Sequence, residues 1–173
     1  MNIINFEFKA RAKDLEGLEQ KLLALKPMFK GEDHQLDTYF NVSKGRLKMR
    51  EGNIENSLIF YERKNDADAK QSDVILYEHQ PSASLKNILV KLHGIKVIVD
   101  KRRRIYFIDN VKFHFDQVKD LGSFVEVEAQ ANAKNADVEK LKRQCNQYFE
   151  LFELHQEDYV NLSYSDLLLN IHH

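Results

Sequence analysis

Asn5-Phe6-Glu7-Phe8-Lys9 is the stretch on which the reading of this 173-residue chain turns. Its polar and apolar residues alternate, so as a β-strand it sends Asn5, Glu7 and Lys9 to one face and Phe6 and Phe8 to the other. An acid and a base projecting together from one strand can hold a cation and an anion side by side. Later segments repeat the pattern. Arg46, Lys48 and Arg50 share a face against Leu47 and Met49, and Lys101 and Arg103 share one within the basic run Lys101-Arg102-Arg103-Arg104. Lys112, His114 and Asp116 alternate with Phe113 and Phe115, and Glu126 and Glu128 alternate with Val125 and Val127.

Taken singly, each strand fits a half-solvated antiparallel sheet, whose wet face reads this way. Taken together, they favour closure. The chain also carries amphipathic helices, which need apolar sheet surface to pack against. If that surface is the outside of a closed sheet, the charged positions turn inward and line a cavity. The charges are sorted by strand as well: Lys48, Arg50, Arg63, Lys101 and Arg103 are basic, whereas Asp116, Glu126 and Glu128 are acidic. Solubility alone gives no reason for that sorting.

Strand patterns cover roughly Ile3–Ala10, Leu36–Val42, Arg46–Glu51, Ser57–Arg63, Val74–His79, Ile95–Ile108, Val111–Val118 and Ser123–Gln130. Asp109-Asn110 supplies a tight hairpin turn and Lys44-Gly45 a similar one. Asp14 is expected to cap a helix carrying Leu15, Leu18, Leu22 and Leu25, and Ser84 a second with Leu85, Ile88, Leu89 and Leu92, ended by Gly94. A third helix starts near Asn135 with Val138, Leu141, Cys145, Tyr148 and Phe149 inward, and a last one follows Ser163 with Tyr164, Leu167 and Leu168. Cys145 falls on the apolar stripe and reads as core rather than as a reactive thiol. The expected class is α+β: a closed eight-stranded antiparallel β-barrel with amphipathic helices packed outside, in one domain spanning 1–173.

The composition narrows the function. With 43% hydrophobic and 31% charged residues the chain fits an ordinary globular protein, and its length supports a core without staples. A formal net charge of −1 argues against a duplex nucleic-acid binder. One cysteine cannot form an internal disulfide, and no apolar run reaches the ~20 residues of a membrane span. A cytoplasmic location is therefore expected, and the closing His172-His173 is given no role.

A bound triphosphate accounts for the sorted charge. Several phosphates need several Lys or Arg partners, and hard cations such as Mg²⁺ or Mn²⁺ prefer carboxylate oxygens beside water and substrate phosphate. Glu7, Glu126 and Glu128 can supply them. There is no thiolate or paired-His pattern for zinc, and no Walker-type loop or GxGxxG element, so side chains would hold the phosphate.

With these residues in view, the chain resembles the CYTH superfamily, the triphosphate tunnel metalloenzymes. Asn5-Phe6-Glu7-Phe8-Lys9 resembles the ExExK signature. Asp37-Thr38-Tyr39-Phe40, Arg46-Leu47-Lys48-Met49-Arg50, Lys101-Arg102-Arg103 and Leu121-Gly122-Ser123-Phe124-Val125-Glu126-Val127-Glu128 follow in the family's order. Compact length and Arg103-Arg104-Ile105-Tyr106-Phe107 look most like bacterial class IV adenylyl cyclases. The resemblance implies an eight-stranded tunnel with Mg²⁺ or Mn²⁺ on Glu7, Glu126, Glu128 and Asp116. It also implies phosphate contacts from Lys9, Lys48, Arg50, Arg63, Lys101 and Arg103, and a Lys70-Gln71-Ser72 turn closing over one mouth. Family members convert ATP to cyclic AMP and pyrophosphate, or hydrolyse thiamine triphosphate, inorganic triphosphate or nucleotides. The resemblance allows a homodimer.

Asn5 departs from the signature, since it offers a neutral oxygen where the pattern has a carboxylate. The expected function is a metal-dependent enzyme acting on a triphosphate, first as an adenylyl cyclase and alternatively as a triphosphatase. The alternatives from other classes are a non-catalytic nucleotide or polyphosphate binder, to which the neutral Asn5 points, and a single-strand nucleic-acid binder. His114 is open between proton carrier and structural hydrogen-bonding group. Alanine at Arg50 or Arg103 is expected to weaken triphosphate binding with the fold intact.

Overall fold

The computed structural model describes residues 1–64 and 70–172. The first strand, β1 (Asn2–Arg11), keeps the alternation read from the sequence: Phe6, Phe8 and Ala10 are buried on the outer wall, whereas Asn5, Glu7 and Lys9 line the interior. After it come α1 (Leu15–Leu23), β2 (Met28–Phe40), β3 (Arg46–Glu51), β4 (Ser57–Lys64), β5 (Lys70–Glu78) and α2 (Ala83–His93). The chain then runs through β6 (Ile95–Ile108), β7 (Val111–Val118), β8 (Gly122–Asn132), α3 (Val138–Leu151), a short 3-10 turn and α4 (Tyr164–Ile171). Among the described residues, eight strands close into an antiparallel barrel in the order β1-β5-β4-β3-β2-β6-β7-β8. β8 pairs back onto β1 and sets Glu7 beside Glu128 and Lys9 beside Glu126. Each described strand has a neighbour on both sides, although Met28–Gln35 of β2 pair only with β6.

The apolar core lies outside the barrel. Phe113, Phe115, Val125 and Val127 join Phe6 and Phe8 under α3, whose Leu141, Cys145 and Tyr148 face the sheet. Phe113 meets Tyr148 edge to face at 4.7 Å, and Phe8 meets Phe149 at 5.3 Å. Cys145 donates to the Phe6 carbonyl at 3.2 Å, and burial pushes its thiol up to about 12. It belongs to the core, as its stripe position implied. α2 covers β2 and β3 through Leu89, which packs with Phe40 and Met49. The third cluster joins Tyr39, Val99, Val118 and Phe124 to Tyr164 and Leu168 of α4.

Three local expectations are corrected. β2 begins at Met28, eight residues before the expected Leu36. Its early half hides Asp33 and Gln35 rather than hydrophobes, and it bulges between Phe29 and Gly31, so the apolar alternation is absent. Lys70-Gln71-Ser72 is not a turn over a mouth: it opens β5, with Gln71 opposite Phe6 and Ser72 opposite Asn5. Pairing on both sides imposes the strand on residues of modest β-propensity. The α2 N-cap is Ser82 rather than Ser84, without a side-chain capping bond. Asp14, Asp137 and Ser163 do cap their helices, each accepting a bond from a backbone N–H of the first turn. No helix of the described residues is long and apolar enough to cross a membrane.

Candidate functional site

Because inward positions recur every second residue on every strand, side chains that are mostly polar line the interior, and it leaves a cavity of about 120 Å³. All six predicted phosphate residues line it: Lys9, Lys48, Arg50, Arg63, Lys101 and Arg103. So do Glu7, Glu126 and Glu128. Asp116 is fully buried beside it.

Two carboxylates organise the cations. Asp37 accepts two parallel bonds from Arg50, both at 2.9 Å, one from Lys101 at 2.7 Å, and lies 3.4 Å from Lys48. Burial pushes its carboxyl up, but Arg50 and Lys101 prevail and hold it well below the usual range. Asp116 binds Arg103 through two bonds of 2.8 and 2.7 Å and takes a third from the Tyr164 hydroxyl at 2.7 Å. Both its oxygens are thus engaged, and the structure places it as the partner of Arg103. Arg103 also reaches Glu126 at 3.4 Å. Since Asp37 and Asp116 are 1% and 0% exposed, alanine at Arg50 or Arg103 strips a buried carboxylate of its main partner. Loss of stability is therefore expected as well as loss of binding, which revises the expectation of an intact fold.

The acidic side is built on β8. Glu126 lies between Lys9 of β1 and His114 of β7, and Glu128 between Glu7 and Lys112. His114, Glu126 and Glu128 present donor atoms all within 4.8 Å of one another. Glu7 stands outside that group, bonded to Arg63 at 3.1 Å and to the Asn5 amide at 3.3 Å. Burial raises both β8 carboxyls; Lys9 and Arg103 reverse this for Glu126, holding it down, whereas Glu7 adds to it for Glu128. Burial, then Arg103 and Lys112, keep the His114 imidazole well below its ordinary range and hence neutral.

A divalent cation fits this end. Among the described residues, Asn5 Oδ1 and both ring nitrogens of His114 are buried without a hydrogen-bond partner, a costly state that a cation or its water relieves. The carboxylates that raise Glu128 are held apart only by protonation or by positive charge between them.

Several residues were missed. Asp37 is turned inward by the parity of β2, the signal that could have found it. Lys112 alternated correctly and went unused. Glu55, in the β3–β4 connection, carried no periodic signal. It enters the barrel because Asp33 accepts bonds from the Ile54 and Glu55 backbone at 2.9 and 3.0 Å, and its carboxylate then meets Lys112 at 2.5 Å and Arg50 at 3.3 Å. At the other end Tyr164 closes in from α4. Lys9 donates to the Leu162 carbonyl at 3.1 Å, and its ammonium sits 4.0 Å from the Tyr164 ring centre.

Lys101 gives a testable consequence of this crowding. Burial, opposed by Asp37 but aided by Arg103 and Arg50, lowers its ammonium to about 7. At pH 8 it is largely neutral, and a phosphate placed beside it favours the charged form. Triphosphate binding at pH 8 is thus expected to take up close to one proton more than in Lys101→Met. Calorimetry in buffers of different ionisation enthalpy measures this. Equal uptake in the two proteins would remove Lys101 from the anion site.

The CYTH domain family model matches residues 4–164. Among solved structures, the PH1012 protein of Pyrococcus horikoshii OT3 is similar with a TM-score of 0.82 and 24% identity, over 94% of this chain and 98% of that one. HpAC1 from Hippeastrum, named for adenylyl cyclase and described with a dominant triphosphatase activity, has a TM-score of 0.67 and 12% identity, over 97% and 95%. The Pct1 RNA triphosphatase of Schizosaccharomyces pombe has a TM-score of 0.52 and 12% identity, over 90% and 87%. At these identities the likeness is one of fold. No curated protein sequence matches the chain.

Proposed function

Taking as premise that the chain belongs to the CYTH family, we propose that its tunnel binds a nucleoside triphosphate with a divalent cation and cyclises it, as ATP to cyclic AMP and pyrophosphate. The observation that carries this reading is the meeting, in one cavity, of a carboxylate group on β8 with cations from five other strands. Those cations already face carboxylates, so a polyanion entering the tunnel must bring positive charge with it. Glu126 and Glu128, with Glu7 alongside, would hold that cation. When bound it supplies charge neutralisation to the phosphates and acidity to the attacking hydroxyl.

The chain's own residues do the rest. Lys9 and Arg63 flank the acidic group and are placed to hold the phosphate nearest it. Lys48, Arg50 and Lys101 gather around Asp37 to take the far phosphates, and Arg103 stands between the two groups. Developing charge on departing pyrophosphate is stabilised by these fixed cations. In balance, the ribose 3′-oxygen forms a bond to the α-phosphorus, the bond from that phosphorus to the bridging oxygen breaks, and the hydroxyl proton passes to solvent. Toward one end the wall turns apolar: Ile3, Ile59, Val74 and Leu76 of β1, β4 and β5 are contiguous and line the cavity. That surface suits the organic part of a nucleotide better than a bare inorganic triphosphate, which has nothing to bury there.

Product analysis after incubation with ATP and Mn²⁺ tests the reading. Cyclic AMP with pyrophosphate, dependent on the cation, is the expected result. ADP with phosphate would replace cyclisation by hydrolysis, and bound but unchanged ATP would make the tunnel a binding site only.

A further inference from the structure

Among the described residues, nothing hydrogen-bonds to the His114 ring, which is 1% exposed. Nδ1 lies 3.7 Å from a Glu128 oxygen and 4.0 Å from a Glu126 oxygen. These separations are too long for hydrogen bonds. They suit three donors around one ion: ligand atoms about 2.1 Å from a cation lie about 3.0 Å apart when adjacent and about 4.2 Å apart when opposite. β7 and β8 fix the arrangement, since His114 and Glu126 are direct cross-strand partners. A buried imidazole without a partner is unfavourable unless something completes it, and what faces it here is a pair of carboxylates.

We propose that His114 is a nitrogen ligand which, with Glu126 and Glu128, makes this tunnel prefer a first-row transition cation such as Mn²⁺ over Mg²⁺. Imidazole is a borderline donor that transition ions accept readily, whereas Mg²⁺ holds to oxygen and to its water. An all-carboxylate site carries no such bias. The inference rests on the proposed cation-assisted reading of the tunnel and specifies the donor set within it.

Pulsed electron paramagnetic resonance on the whole protein loaded with Mn²⁺ alone tests it, independently of turnover. The expected spectrum shows electron–nuclear coupling to one directly bound ¹⁴N, lost in His114→Gln. Excess Mg²⁺ should then displace Mn²⁺ at least about tenfold more easily from that variant. Mn²⁺ bound without nitrogen coupling in the unsubstituted protein would overturn the role of His114 and leave the proposed function standing. Coupling that persists in His114→Gln would assign the nitrogen elsewhere and likewise overturn it. No Mn²⁺ binding at all would overturn the cation reading together with this one. Far-ultraviolet circular dichroism of His114→Gln confirms that the barrel is intact before its spectrum is compared.

Discussion

Glu126→Gln is expected to lower cation-dependent turnover of the triphosphate by at least about 100-fold while the barrel stays folded. Replacing even a partner that only orients a metal ligand costs about 10–100-fold, and the ligand itself should cost no less. The position is unusual in being charged despite deep burial, because Lys9 and Arg103 outweigh the cost of burying the carboxylate. Glutamine keeps the shape and removes the charge. Arg103 keeps its two bonds to Asp116, so the loss falls on the cation and its substrate rather than on the wall. Steady-state rates at saturating Mn²⁺, with far-ultraviolet circular dichroism as the fold control, read the effect. Activity within a few-fold of the unsubstituted protein would take Glu126 out of the cation site.

The second large effect is on stability. Arg103→Ala should reduce the free energy of unfolding by about 3–5 kcal/mol, as expected when one partner of a buried pair is removed. Asp116 then keeps the bond from the Tyr164 hydroxyl but loses both bonds from Arg103, in a fully buried position. Replacing both partners, Arg103→Met with Asp116→Leu, should recover most of the loss, since apolar residues of similar volume leave no uncompensated charge. The double variant separates two roles that the single one confounds. If Arg103 holds phosphate, the stable double variant still binds triphosphate poorly; if it only braces the wall, binding returns with stability. Urea unfolding together with the shift in melting temperature on adding tripolyphosphate distinguishes them.

Much of the architecture was legible beforehand, for a physical reason. A strand with one wet and one dry face must alternate at period two, so β3, β6 and β7 could be bounded as they stand in the structure, and the inward set could be named from parity alone. β2 was half missed because its early interior positions, Asp33 and Gln35, are polar, and an interior lined by polar groups does not look like a core. The site was legible in part on the same terms. Lys9, Lys48, Arg50, Lys101, Arg103, Glu126 and Glu128 lie on alternating strands, whereas Glu55 lies in a connection and Tyr164 at a helix start, where no period points inward.

Within the strands that alternate, the sequence by itself determined which residues share a face, because that depends only on neighbours one and two positions away. The tertiary structure alone decided which residues meet. Asp37 gathers Arg50 and Lys48 from β3 and Lys101 from β6, Glu55 is carried inward by Asp33, and His114 is set beside Glu126 and Glu128. These encounters depend on strand order, on register and on the closure of β8 against β1. Each is fixed by packing among residues far apart in the chain, and no local pattern records them.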